Sequence, residues 1–119
     1  MMGRLTTHVL DTANGCPGKA IYIKLFSVAE DGSQKLLKTA ITNDDGRVDS
    51  PMLEGEELVG GTYILEFDAG DYYRGRGIKL ADPAFLDIVP IRFGVADAGT
   101  HYHVPLLLSP YGYSTYRGS

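Results

Sequence analysis

The chain has 119 residues, 44% of them hydrophobic and 22% charged, which describes one ordinary globular domain spanning residues 1–119 rather than a disordered tract. Eleven Lys and Arg against 15 Asp and Glu leave a formal net charge of −4, so no basic excess exists to neutralise phosphates and nucleic acid is excluded as the expected partner. A single cysteine, Cys16, rules out an intrachain disulfide and a Cys-based zinc site. The start of the chain lacks the roughly 7–15-residue apolar run of a secretion signal, and no stretch reaches the roughly 18 apolar residues of a membrane span. The expected setting is therefore the cytoplasm, without membrane contact.

Period-two alternation dominates the chain and predicts strands. The first covers residues 5–11. In the second, Ile21, Ile23 and Leu25 share one face, with Tyr22, Lys24 and Phe26 on the other. A third spans 35–42. Tyr63, Leu65 and Phe67 alternate with Ile64, Glu66 and Asp68 in a fourth, followed by 87–95 and 102–108. Turn clusters rich in Gly, Asn and Asp separate these runs at 13–18, 30–33 and 43–46. Only 71–77 reads as a short helix, and it is Gly-rich. Many short strands with no long amphipathic helix define an all-β sandwich or barrel.

Two segments point beyond a simple monomer. Val104-Pro105-Leu106-Leu107-Leu108 is apolar on both faces, as an interface strand or a central strand with a tail folded over it would be. Tyr111, Tyr113 and Tyr116 follow, alternating with small and polar residues as a last strand would, which carries Ser119 to a definite place.

The residues able to do chemistry are few. His101 and His103 lie two apart and so face the same side of a strand, suited to a metal or to shared proton transfer. Alternation places His8 outward or into a cleft if Val9 faces the core. Arg47 follows the turn Asn43-Asp44-Asp45-Gly46, where its guanidinium either holds an anionic or imide-like ligand or pairs with Asp44 or Asp45. No Ser/His/Asp triad, phosphate loop or HExxH motif is present.

Three blocks carry a resemblance that runs nearly end to end. They are Leu5-Thr6-Thr7-His8-Val9-Leu10-Asp11-Thr12 with Gly15-Cys16-Pro17, then Thr42-Asn43-Asp44-Asp45-Gly46-Arg47, and then His101 through the terminal Tyr116-Arg117-Gly118-Ser119. In these the chain resembles the 5-hydroxyisourate hydrolase branch of the transthyretin-like family. The resemblance implies a prealbumin-like sandwich of about eight strands with one short helix. It also implies a homotetramer, a dimer of dimers, with active sites where dimers meet across a central channel. The implied reaction opens 5-hydroxyisourate to 2-oxo-4-hydroxy-4-carboxy-5-ureidoimidazoline in urate catabolism, with no metal or organic cofactor. Carried over by position, His8, Arg47, His103 and Ser119 become the expected catalytic set. His8 and Arg47 would also bind substrate, together with Tyr116, Arg117 and Gly118. His101 has no assigned role, and Gly18 departs from the Ala that many members carry.

With these residue types, His103 and His8 would draw a proton from water attacking the ring carbonyl while Arg47 steadies the developing oxyanion. Three alternatives stand beside this. His8, His101 and His103 could instead hold a catalytic zinc, the fold could carry a hydrophobic ligand, as the transthyretin branch does, or an enzyme of this family could act on a related cyclic ureide.

Overall fold

A computed structural model describes residues 2–119 as two packed β-sheets with one short helix. The strands are β1 (Arg4–Asp11), β2 (Cys16–Pro17), β3 (Tyr22–Val28), β4 (Gln34–Ile41), β5 (Leu53–Glu54), β6 (Gly61–Asp68), β7 (Ile88–Val95), β8 (Tyr102–Ser109) and β9 (Gly112–Thr115). One sheet runs β2-β1-β8-β9, with β5 also paired to β1, and the other runs β4-β3-β6-β7. The all-β sandwich expected from the alternation is what forms. Two of the nine strands are only two residues long, too short to leave a periodic signal.

The alternation sorts the side chains between core and surface. Leu5 and Val9 of β1 and Tyr102, Val104, Leu106 and Leu108 of β8 point inward. They meet Ile23 and Leu25 of β3, Leu65 and Phe67 of β6, and Val89 and Ile91 of β7, all buried. Burying each such side chain is worth roughly 1.5–3 kcal/mol, so the core fixes which face of β1, β3, β6, β7 and β8 is turned outward. The apolar 104–108 segment is the central strand β8, between β1 and β9, with Thr115 of the tail bonding to the Pro105 carbonyl at 2.7 Å.

All ladders between named strands are antiparallel except β1 with β8, which run parallel from Leu5 opposite Tyr102 to Asp11 opposite Leu108. That register puts Thr6 opposite His103 and His8 opposite Pro105 on the outer face of the sheet. Gly18 packs where a methyl group would lie 2.7 Å from the Val9 and Ile21 side chains.

The helix α1 (Ala69–Gly75) begins two residues before the sequence suggests. Asp68, the last residue of β6, caps it by accepting from the Asp71 N–H at 3.1 Å, so strand passes to helix without a separate turn. Its Tyr72 and Tyr73 hydroxyls donate to the fully buried Asp11 carboxylate at 2.7 and 2.9 Å. Tyr73 also reaches the Leu108 carbonyl at 3.0 Å, and Asn14 donates its side-chain amide to Asp11 at 2.7 Å. Burial by itself would raise the pKa of Asp11, but the donors Asn14, Tyr72 and Tyr73 outweigh it and hold the carboxyl below its ordinary range. This cluster ties α1 to β1 and β8.

A depressed folded-state pKa gives stability that is present above the unfolded pKa and lost as pH falls through the folded one. Asp11→Ala strips the charged acceptor from two buried hydroxyls, and we expect it to cost about 2–5 kcal/mol at neutral pH. The gap to the parent should narrow in acid. Equilibrium denaturant unfolding at several pH values checks this, and equal midpoints at neutral pH would contradict it.

Candidate active site

On the outer face of the first sheet, β1, β8, the segment after the 43–46 turn and the tail enclose a groove of about 510 Å³. Thr6, His8, Arg47, His101, His103, Tyr116, Gly118 and Ser119 all line it. Residues far apart in the chain converge because of two main-chain bridges, His8 with Arg47 and His103 with Gly118.

The first bridge depends on Gly46. The Val9 N–H donates to the Gly46 carbonyl at 2.8 Å, and a Cβ on Gly46 would lie 2.4 Å from the Val9 carbonyl oxygen. Gly46 also has φ +75°, in the left-handed region that favours glycine. Asn43 shapes the turn by accepting the N–H groups of Asp45 and Arg47 on its side-chain oxygen, at 2.9 and 3.1 Å. Arg47 is thereby held beside His8. Among the described residues it makes no ion pair, and Asp44 pairs with Lys19 instead, at 3.2 Å.

In the second bridge, the Gly118 N–H donates to the His103 carbonyl at 2.7 Å. A Cβ on Gly118 would lie 2.6 Å from Cδ2 of His103, so the tail lies flat against the imidazole only because this residue has no side chain. Arg117 is turned elsewhere. Its guanidinium stacks over the Tyr102 ring at 4.0 Å and donates to the His101 carbonyl at 3.1 Å, and it does not line the groove.

The three histidines meet here, all half-buried. The rings of His8 and His103 lie 6.4 Å apart, centre to centre. Between His101 and His103 stands Thr6, whose Oγ1 is 3.0 Å from His101 Nε2 and 2.7 Å from His103 Nδ1. Thr6 is the site residue that sequence reasoning missed. Its only signal is the shared outward face with His8, two residues on; its place beside β8 follows from a parallel pairing that no local pattern reveals. Two imidazole nitrogens aimed at one hydroxyl do not converge on a metal, and among the described residues no His, Cys, Asp and Glu group is spaced to hold one.

Both histidines nearest Arg47 are shifted toward their neutral forms. Burial, then the Arg47 charge, lower the pKa of His8, opposed by the Asp45 carbonyl and carboxylate. Burial, then Arg47, then the other two imidazoles lower that of His103. A neutral imidazole with a free nitrogen beside an unpaired guanidinium can accept a proton and stabilise negative charge within one groove.

Residues 5–118 match the HIUase/Transthyretin family, and the chain belongs to it. It is 64% identical over 118 residues to the 5-hydroxyisourate hydrolase of Ralstonia nicotianae, covering 99% of this chain and 100% of that protein. Among solved structures, (S)-allantoin synthase superposes with a TM-score of 0.92 at 44% identity; the match covers 98% of this chain, which spans only 44% of that longer one. The 5-hydroxyisourate hydrolase of Klebsiella pneumoniae superposes with a TM-score of 0.81 at 29% identity, covering 99% of this chain and 100% of that one.

If Arg47 helps to hold the imidazoles neutral, Arg47→Ala should raise the pKa values of both His8 and His103 toward the ordinary 6.5. NMR titration of the two rings measures this, and unchanged midpoints would contradict it.

Proposed function

We propose that this chain hydrolyses 5-hydroxyisourate to 2-oxo-4-hydroxy-4-carboxy-5-ureidoimidazoline, a step of urate catabolism. The observation that carries the reading is the groove itself, where His8, Arg47 and His103 come together with Arg47 unpaired and both imidazoles biased toward neutrality. A small, hydrogen-bond-rich cyclic ureide suits such a lining better than a hydrophobic hormone does. The relatives of the same family bearing the hydrolase name support the same substrate.

In this reading Arg47 orients the ring and stabilises the oxyanion that forms when water adds to the carbonyl carbon. His103, with His8 beside it, accepts the proton leaving that water through Nε2, since Nδ1 is engaged by Thr6. General-base assistance of this kind is worth about 10²–10⁴-fold. As the ring C–N bond breaks, the proton is returned to the departing nitrogen. Tyr116, Gly118 and Ser119 wall the ring and offer hydrogen bonds. Arg117, seated on Tyr102, serves by anchoring the tail. No metal takes part.

We take the working unit to be a homotetramer in the cytoplasm. β9 has an unpaired edge and four exposed residues, and the groove lies open on the outer sheet face, which supports closure by another copy of the chain. No helix among the described residues is long and apolar enough to cross a membrane.

The test is the decay of 5-hydroxyisourate, generated in situ, with and without the protein in the presence of a strong chelator. Acceleration well above the spontaneous rate, with build-up of the ureidoimidazoline, is the expected result. Because the groove histidines must be neutral, the acid limb of the rate should fall below pH 6.5, the ordinary histidine value. Decay at the spontaneous rate would overturn the reading, and loss of activity on chelation would overturn its metal-free form.

A further inference from the structure

The contact of Thr6 with His101 and His103 has a chemical consequence that rests on the hydrolytic reading. A hydroxyl carries one proton, so between two imidazole nitrogens it can donate to one ring and must accept an N–H from the other. The tautomers of His101 and His103 are therefore linked through Thr6 Oγ1, 3.0 Å from one and 2.7 Å from the other.

For two neutral rings, only two proton arrangements satisfy both contacts. In the first, Thr6 donates to His103 Nδ1, His101 donates its Nε2–H to Thr6, and His103 carries its own proton on Nε2. That form has no lone pair to offer water. In the second, His103 donates Nδ1–H to Thr6 and Thr6 donates to His101 Nε2, which leaves the lone pair of His103 Nε2 open. The second form suits a ring that shares the groove with the Arg47 cation, because the nitrogen not engaged by Thr6 then carries a lone pair rather than an N–H. The ring is also held in place, with Nδ1 against Thr6 and Cδ2 against Gly118.

We infer that Thr6 and His101 are positioning residues that form a proton relay behind His103, fixing its base-competent tautomer and holding the abstracted proton away from Arg47. His103 Nε2 takes a proton from water as the new C–O bond forms. His103 Nδ1–H passes to Thr6 Oγ1, while the Thr6 proton passes to His101 Nε2, so the positive charge moves to His101, just before β8. When the ring C–N bond breaks, His103 Nε2–H goes to the leaving nitrogen. The relay runs back, restoring Nδ1–H on His103 and the hydroxyl on Thr6. One proton has moved from water to the leaving nitrogen and nothing else has changed. His101 also borders a second recess, lined by Arg4 and Glu54 among others.

The experiment combines ¹⁵N–¹H NMR of the His103 ring, recorded above its titration, with steady-state kinetics on the full chain. The parent protein should show neutral His103 with its proton on Nδ1. Thr6→Val should move that proton to Nε2 and lower kcat at least about tenfold, with KM within about twofold. Thr6→Ser, which keeps the hydroxyl, should retain both tautomer and rate. His101→Gln can still accept from Thr6 but cannot take up a proton, so it should keep the tautomer and lose kcat. A parent spectrum with the proton on His103 Nε2, or a Thr6→Val protein of unchanged kcat, would overturn the relay. A parent protein that fails to accelerate 5-hydroxyisourate decay would instead overturn the functional reading and the relay with it, while the spectrum still decides the tautomer.

Discussion

The parallel pairing of β1 with β8 is the constraint on which the site depends. Its inner face is sealed by Leu5, Val9, Val104, Leu106 and Leu108, all buried, so neither strand can slip by one residue without turning its apolar side chains into water. The same lock sends Thr6, His8 and His103 outward together, with His101 beside them just before β8. The buried Asp11 cluster clamps the far end of the pair through Tyr72 and Tyr73 of the helix. Catalytic geometry on one face is thus held by packing energy on the other, with Thr6 tying His101 to His103.

What the strands do not provide, two glycines do. Gly46 and Gly118 each lie where a side chain would collide, one with the β1 main chain and the other with the His103 ring. Through them the turn that carries Arg47 and the tail that carries Tyr116 and Ser119 come within reach of the imidazoles. Proximity then sets the electrostatics. A guanidinium without a carboxylate partner, close to two partly buried rings, disfavours their charged forms and keeps them available as bases. The proposed chemistry needs that bias, since a protonated imidazole cannot accept a proton from water.

Much of this was legible in the residues, for identifiable reasons. Period-two alternation marks the strands with one buried and one outer face, such as β1, β3 and β7, whereas β4 has no buried side chain; ends differ by a residue or two where polar residues continue the backbone pairing. The helix start was hidden because Ala69 and Gly70 carry no capping signal and Asp68 belongs to a strand. The spacing of His101 and His103 correctly puts both on one face, and the outward face was one of the two placements alternation left open for His8. Resemblance to a family, rather than any spacing, joined Arg47 and the tail to them. Thr6 and Asp11 stayed silent. A threonine on an outer face and an aspartate at a strand end are commonplace, and their importance comes from partners about 60 to 100 residues away. The turn of Arg117 onto Tyr102 likewise belongs to tertiary packing.

The central claim is that His103 is the base in the groove, and the most direct measurement is turnover of 5-hydroxyisourate by His103→Asn beside the parent protein. Circular dichroism and sedimentation would establish that the variant keeps its fold and assembly. The account predicts a loss of kcat of about 10² or more with structure intact. A folded variant that turns over substrate at the parental rate would contradict it.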